Sequence, residues 1–164
     1  MIPVTSRSSQ HLAVFGLGGS GRATAHALMA GGATVTAWDD NADSRAEAAN
    51  ENIPLADLAA ADWPQFSALV LSPGIPLTHP VPHPVVVCAR NADRPIIGDI
   101  ELLTENTDGT VLIGITGTNG KSTTSALLHH VLHASGVAVQ IGGNFGPPVL
   151  GLTPPTDGET VVLE

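Results

Sequence analysis

Short apolar runs separated by polar, glycine-rich turns recur along the chain. His11–Phe15, Thr34–Trp38, Ala68–Leu71, Val111–Ile115, Val137–Ile141 and Thr160–Leu163 have the length and β-branched or aromatic content of buried strands. Val85-Val86-Val87 and Pro95-Ile96-Ile97 read as further short strands, and Ile53-Pro54-Leu55 as a strand end. Between the runs the period lengthens. Ala23, Ala25, Ala27, Leu28 and Met29 form a helical stripe that stops at Gly31-Gly32, a glycine helix stop. Asn41 to Asn50 reads as a second helix, Leu55 to Ala61 as a short helical turn, and Leu127, Leu128, Val131 and Leu132 mark a long one. Pro76, Pro80, Pro82 and Pro84 make their segment extended or irregular. Met1 to Gln10 reads as a short polar arm.

Two of the strand-to-helix turns are rich in glycine. The later one, Gly117-Thr118-Asn119-Gly120-Lys121-Ser122-Thr123, follows Val111–Ile115 and opens the long helix. Backbone N–H groups of such a turn and the helix N-terminus converge on one spot that favours an anion. Lys121 can then reach terminal phosphate oxygens, and the Ser122 hydroxyl can ligate Mg²⁺. The usual spacing of such loops would put a glycine at 115, where Ile115 stands, so the shorter loop argues against a generic kinase or GTPase. The earlier turn carries Gly16, Gly18 and Gly21 in the G-x-G-x-x-G spacing, with Asp39-Asp40 about 20 residues on. On pattern alone it reads as a dinucleotide site, and a tight turn without a ligand is the bland alternative.

Other residues fall on the rim beyond the carboxyl ends of strands, where open α/β sheets bind ligands. They are Ser72 to Gly74, Asn144 in a third glycine turn, and Glu164 at the tip of the last strand, a place for a Mg²⁺ ligand. His129, His130 and His133 have a spacing that could pair two as metal ligands, but solvated helix-face histidines are the plainer reading, as for His79 and His83. The fold class is α/β, a Rossmann-like parallel-sheet domain over 1–103 followed by the start of a P-loop ATPase-like domain over 104–164. A chain that stops on a core strand is expected to leave a bare sheet edge, which suggests a fragment.

Composition narrows the partners. Fifteen acidic residues against six basic ones, a net charge of −9, argue against nucleic acid or an anionic membrane. The only lysine is Lys121, inside the phosphate loop. One cysteine, Cys88, reads as a small buried hydrophobe in a reducing compartment. No apolar run is long enough to cross a bilayer and no signal-peptide core is present, so the expected location is the cytoplasm, without membrane insertion.

Four motifs stand in order: G-L-G-G-S-G from Gly16, S-P-G-I from Ser72, G-D-I-E-L-L from Gly98 and G-I-T-G-T-N-G-K-S-T-T from Gly114. G-G-N-F-G from Gly142 and V-V-L-E ending at Glu164 follow. The ordered set resembles the Mur ligase family, its D-glutamate-adding members above all. The resemblance implies an ATP-dependent ligase of peptidoglycan synthesis that adds D-glutamate to UDP-N-acetylmuramoyl-L-alanine through an acyl phosphate. It implies a first domain that binds UDP rather than nicotinamide, through Gly18, Gly19, Ser20, Asp39, Asp40, Ser72, Gly74 and Asn144. ATP and Mg²⁺ would be held by residues 117–123, with Lys121 and Glu164 catalytic and Ser122 and Glu164 at the metal, in a monomeric enzyme. The family's downstream metal histidine, carbamylated lysine and C-terminal domain have no counterpart here, so this chain alone is expected to be inactive. The rivals are an L-alanine-adding relative, a nicotinamide oxidoreductase resting on Gly16, Gly18, Gly21 and Asp39, and a non-catalytic nucleotide-binding module.

Overall fold

The computed structural model describes residues 1–164. The order is β1 (His11–Phe15), α1 (Gly19–Ala30), β2 (Thr34–Trp38), α2 (Ala42–Asn50), β3 (Ala68–Leu71), α3 (Pro84–Asn91), β4 (Ile96–Ile97), α4 (Asp99–Thr104), β5 (Val111–Gly114), α5 (Lys121–Ala134), β6 (Val139–Gly142) and β7 (Thr160–Leu163). Every pairing is parallel, in a four-stranded sheet β2-β1-β3-β4 and a three-stranded sheet β5-β7-β6. Parallel neighbours need crossovers, and the helices between strands supply most of them. The carboxyl ends of the strands in each sheet therefore share a rim.

Side chains alternate across the first sheet. Leu12 and Val14 of β1 and Ala68 and Val70 of β3 face one apolar cluster, whereas Ala13, Phe15 and Leu69 face another built on Trp63, Phe66, Val85 and Val86. The first cluster does not end with the first sheet. It runs through α1 and α4 into Val149, Leu150, Leu152, Val161 and Leu163, so both sheets share one core. Beyond it the second sheet is thinly covered: Leu127 and Val131 of α5 and Val111 of β5 are at least half exposed.

The N-terminal residues belong to that core. Ile2 and Val4 are buried, Ile2 N–H donates to the Leu150 carbonyl at 2.8 Å, and Val4 N–H donates to Ala27 at 2.9 Å. Further along the same segment, Arg7 forms a two-pronged ion pair with Glu105, Nε lying 2.9 Å from Oε2, and Ser6 Oγ donates to the same carboxylate at 2.9 Å. Burial alone would raise the Glu105 pKa, but the hydrogen bonds from Arg7 and Ser6 and the Arg7 charge hold it below the ordinary 4.5. A depressed folded value means that unfolding takes up a proton between that value and 4.5. The stabilisation is complete above this window and lost as pH falls through it. Urea midpoints should therefore separate wild type from Glu105→Gln at pH 7 and converge as pH falls through that window; an equal gap throughout would exclude the pair as the cause.

Several elements differ from the sequence reading. Val85-Val86-Val87 lies in α3, not a strand, because Pro84 at the first helical position and the His83 cap start a helix there. Leu55 forms a single parallel bridge to Ala37, and the residues after it turn without becoming helical. The motif from Gly98, to which the sequence pattern assigns no element, carries α4, whose Glu101 carboxylate accepts the Gly98 N–H. The polar arm is buried at Ile2 and Val4. β7 lies between β5 and β6, so the last strand makes no bare edge. Cys88 is half-buried against the second cluster.

Candidate functional site

The helices differ in how their N-termini are closed. Asn41 caps α2 through bonds from Asp43 and Ser44 N–H groups, His83 caps α3, and Glu101 folds back at α4. The helices α1 and α5 start after Gly18 and Gly120, which carry no side chain to cap them. Their first-turn N–H groups are left open, and an open helix N-terminus attracts anions. Gly120 sits at φ +77° and Gly117 at +150°, left-handed backbone that suits glycine at both positions.

The first turn is held closely. Gly16 lies at φ +92°, Ser72 Oγ donates to its carbonyl at 2.7 Å, and a Cβ on Gly21 would stand 1.7 Å from that same oxygen. Asp39 completes the clamp. Its Oδ2 accepts the Leu17 N–H at 2.5 Å and its Oδ1 the Asn41 N–H at 2.8 Å. The acid that the spacing assigns to a ribose thus already satisfies two backbone donors.

A groove of about 350 Å³ runs from this turn to the second sheet, bordered by Gly18 to Gly21, Asp39, Ser72, Asp99, Asn144 and Glu164. Residues expected to act together therefore meet: Gly18, Gly19, Ser20, Asp39 and Ser72 on one wall, Asn144 and Glu164 on the other. Gly74 stays on the outer rim at φ +90°, and Asp40 points to the far side of β2, into a smaller depression of about 140 Å³ with Phe15, Trp38 and His83. Lys121 does not line the groove. Its Nζ donates to the Gly117 carbonyl at 2.9 Å, and the phosphate loop joins the groove through Ser122, whose Oγ donates to Glu164 Oε1 at 3.1 Å. Thr118, Asn119 and Thr123 are exposed on the loop and at the helix start.

Two features escaped the sequence reading. Asp99, 8% exposed, lines the groove and accepts the Ser20 hydroxyl at 2.5 Å. The residues are 79 positions apart, so only the fold brings them together. His83, passed over as a loop histidine, caps α3 and pairs with Asp40. The rings of His129 and His133 stack at 6.2 Å on the partly exposed side of α5.

No lysine or arginine lines the groove, so an anion there meets backbone N–H groups and helix ends rather than cationic side chains, beside the carboxylates of Asp39, Asp99 and Glu164. Glu164 is unusual in the opposite sense. Its Oε2 is buried with no hydrogen-bond partner, a costly arrangement for a carboxylate oxygen. Beside the Ser122 hydroxyl, this oxygen fits a hard divalent cation, which takes oxygen ligands.

No family model matches the chain. Over its whole length it is 55% identical to a UDP-N-acetylmuramoylalanine–D-glutamate ligase of Rhizobium meliloti (strain 1021) and 52% identical to that of Rhodopseudomonas palustris (strain HaA2). In both comparisons it spans 36% of the relative's length. A solved structure, a UDP-N-acetylmuramate:L-alanyl-gamma-D-glutamyl-meso-diaminopimelate ligase from Neisseria meningitides, aligns with 96% of this chain and 52% of its own. The TM-score is 0.56 at 25% identity. From end to end, then, the chain belongs with the N-terminal third of the UDP-N-acetylmuramoylalanine–D-glutamate ligases, in the Mur ligase family.

Proposed function

We propose that residues 1–103 are the UDP-substrate-binding domain, and residues 104–164 the first part of the ATP-binding domain, of a cytoplasmic, monomeric ligase. That ligase adds D-glutamate to UDP-N-acetylmuramoyl-L-alanine at the expense of ATP. The observation that carries this reading is the pair of uncapped helix N-termini, α1 and α5, tied to opposite ends of one groove through Ser20–Asp99 and Ser122–Glu164. Gly18, Gly19 and Ser20 would take the diphosphate of the UDP handle, with Ser72 and Gly74 on the rim and Asn144 toward the acyl end. The loop from Gly117 to Thr123 would take the ATP phosphates. No helix is long and apolar enough to cross a membrane.

The chemistry proposed is carboxylate activation. The γ-phosphoryl group passes from ATP to a carboxylate oxygen, leaving ADP and an acyl phosphate. The D-glutamate nitrogen then attacks the acyl carbon, phosphate departs with the C–O bond, and the nitrogen loses a proton. Little covalent help is needed, so the work of this chain is positioning and charge neutralisation. Lys121, released from the Gly117 carbonyl, would meet the γ-phosphate, while the open N–H groups of α5 hold the phosphates behind it. Ser122 and Glu164 are the side chains here that would hold Mg²⁺, which supplies further neutralisation of the transferred group.

Calorimetric titration of the 164-residue chain with UDP-N-acetylmuramoyl-L-alanine, and separately with Mg-ATP, tests the assignment. Each ligand should bind once, and NADH should not bind. Binding of NADH in place of the UDP ligand would favour an oxidoreductase instead. Glu164→Gln adds a sharper check. It should weaken ATP binding about tenfold with Mg²⁺ present and little without it. An equal loss in both conditions would assign Glu164 a role other than the metal.

A further inference from the structure

The seven histidines divide by the company they keep. His11, His26, His79 and His83 each place a ring nitrogen 2.8 to 3.1 Å from a side-chain oxygen, of Thr36, Glu51, Thr78 and Asp40 in turn. His129, His130 and His133 all lie on α5, pair with no hydroxyl or carboxylate, and have no part in the proposed ATP chemistry.

Helical spacing decides which of the three can act together. Residues four apart share a face, whereas the next residue along is swung about 100° around the axis. Ser125 is buried and Leu128 and Leu132 are half-buried, which marks the side of α5 that lies against the second sheet. His129, half-buried, and His133, exposed, lie beside that stripe with their rings 6.2 Å apart and 21° from parallel. His130 is exposed on another side. An ion bonded at about 2.1 Å to one nitrogen of each ring can bridge centroids at this separation. The i, i+4 spacing is the one through which a helix holds zinc. The surrounding field also favours a cation. His133 stands in the last turn of α5, at the negative end of the helix dipole. Beyond Arg94 the only lysine or arginine is Lys121, at the opposite end of the same helix.

We propose that His129 and His133 form a surface chelate for a borderline divalent transition-metal ion, Ni²⁺ or Zn²⁺, with water completing the coordination. Imidazole nitrogen selects these ions, whereas Mg²⁺ takes oxygen ligands such as Ser122 and Glu164, which meet at the other end of α5. One helix thus carries two cation sites sorted by ligand chemistry, and the histidine pair does not depend on the ATP reading. The two rings are neighbours only while this stretch is helical, so an ion held between them also favours the folded chain.

The experiment is calorimetry of NiCl₂ against the untagged 164-residue chain, with MgCl₂ in excess to compete for oxygen ligands and urea midpoints measured alongside. One ion should bind per chain. His129→Gln and His133→Gln should each weaken it at least about tenfold, because a chelate that loses one ligand keeps a single imidazole. His130→Gln should leave the affinity unchanged. Ni²⁺ should raise the urea midpoint of wild type and of His130→Gln, but not of the other two variants. Wild-type affinity in either His129→Gln or His133→Gln, or an equal loss in all three variants, would overturn the inference. So would one ion per two chains, or no binding up to about 1 mM Ni²⁺.

Discussion

Gly21→Ala is expected to destabilise the fold by at least about 3 kcal/mol, the upper range for forcing an extra carbon into a packed interior. Ordinary helix propensity argues the other way, because alanine inside a helix gains about 1 kcal/mol over glycine. Here the clash decides. The added methyl would sit 1.7 Å from the Gly16 carbonyl oxygen and 2.6 Å from Ser72 Oγ, and the nearer atom is backbone, which has no rotamer in which to retreat. The Gly16 carbonyl is also the acceptor for Ser72, so a shift there disturbs β1, α1 and the loop after β3 together. Gly19→Ala is the matched control, because a Cβ at Gly19 meets nothing within 4 Å. Urea unfolding should show Gly21→Ala far below wild type, with Gly19→Ala at or above it. A Gly21→Ala midpoint near that of wild type would mean that α1 can move away from β1, contrary to the close packing described.

The second large effect concerns the other glycine turn. Lys121→Ala should weaken Mg-ATP binding by tenfold to about a hundredfold, the range for removing a charged hydrogen-bond partner from a phosphate. Binding of the UDP ligand and the urea midpoint should hardly change. The selectivity follows from position: Lys121 contacts only the Gly117 carbonyl, at an exposed site, and does not border the groove. It is also the only lysine of an acidic chain, so no other lysine can take its place. Unaltered ATP affinity would remove the phosphate loop from the reading. Parallel loss of both ligands would show that the two turns are coupled through the groove.

How much of this was legible in the sequence depended on distance along the chain. The strands β1, β2, β3, β5 and β7, the two glycine turns and the long helices were readable because each is encoded within a dozen neighbouring residues. Val85-Val86-Val87 misled because β-branched residues favour strands. The proline and the capping histidine just before them weigh more in starting a helix. The position of β7 between its neighbours was invisible, since strand order follows from crossovers and not from any local pattern.

At the site the same distinction holds. The spacing put Asp39 and Asp40 at the end of β2 but could not show their different partners, the Leu17 and Asn41 N–H groups for Asp39 and His83, 43 residues on, for Asp40. Asp99 was overlooked for the same reason: its partner Ser20 belongs to another motif. The Ser122–Glu164 contact is the exception. The phosphate loop and a terminal strand acid were each suspected of serving one cation, and their side chains do meet.

The seating of Ile2 against Leu150 bears on how the molecule is made. Ile2 must wait for Leu150, far along the chain, before its N–H finds an acceptor. Domains usually condense from the N-terminus as synthesis proceeds, so β1 to β4 can assemble while Ile2 still lacks its acceptor. During that interval an apolar seam along α1 and α4 stays open to water. A chaperone able to grip a short apolar stretch would find it there.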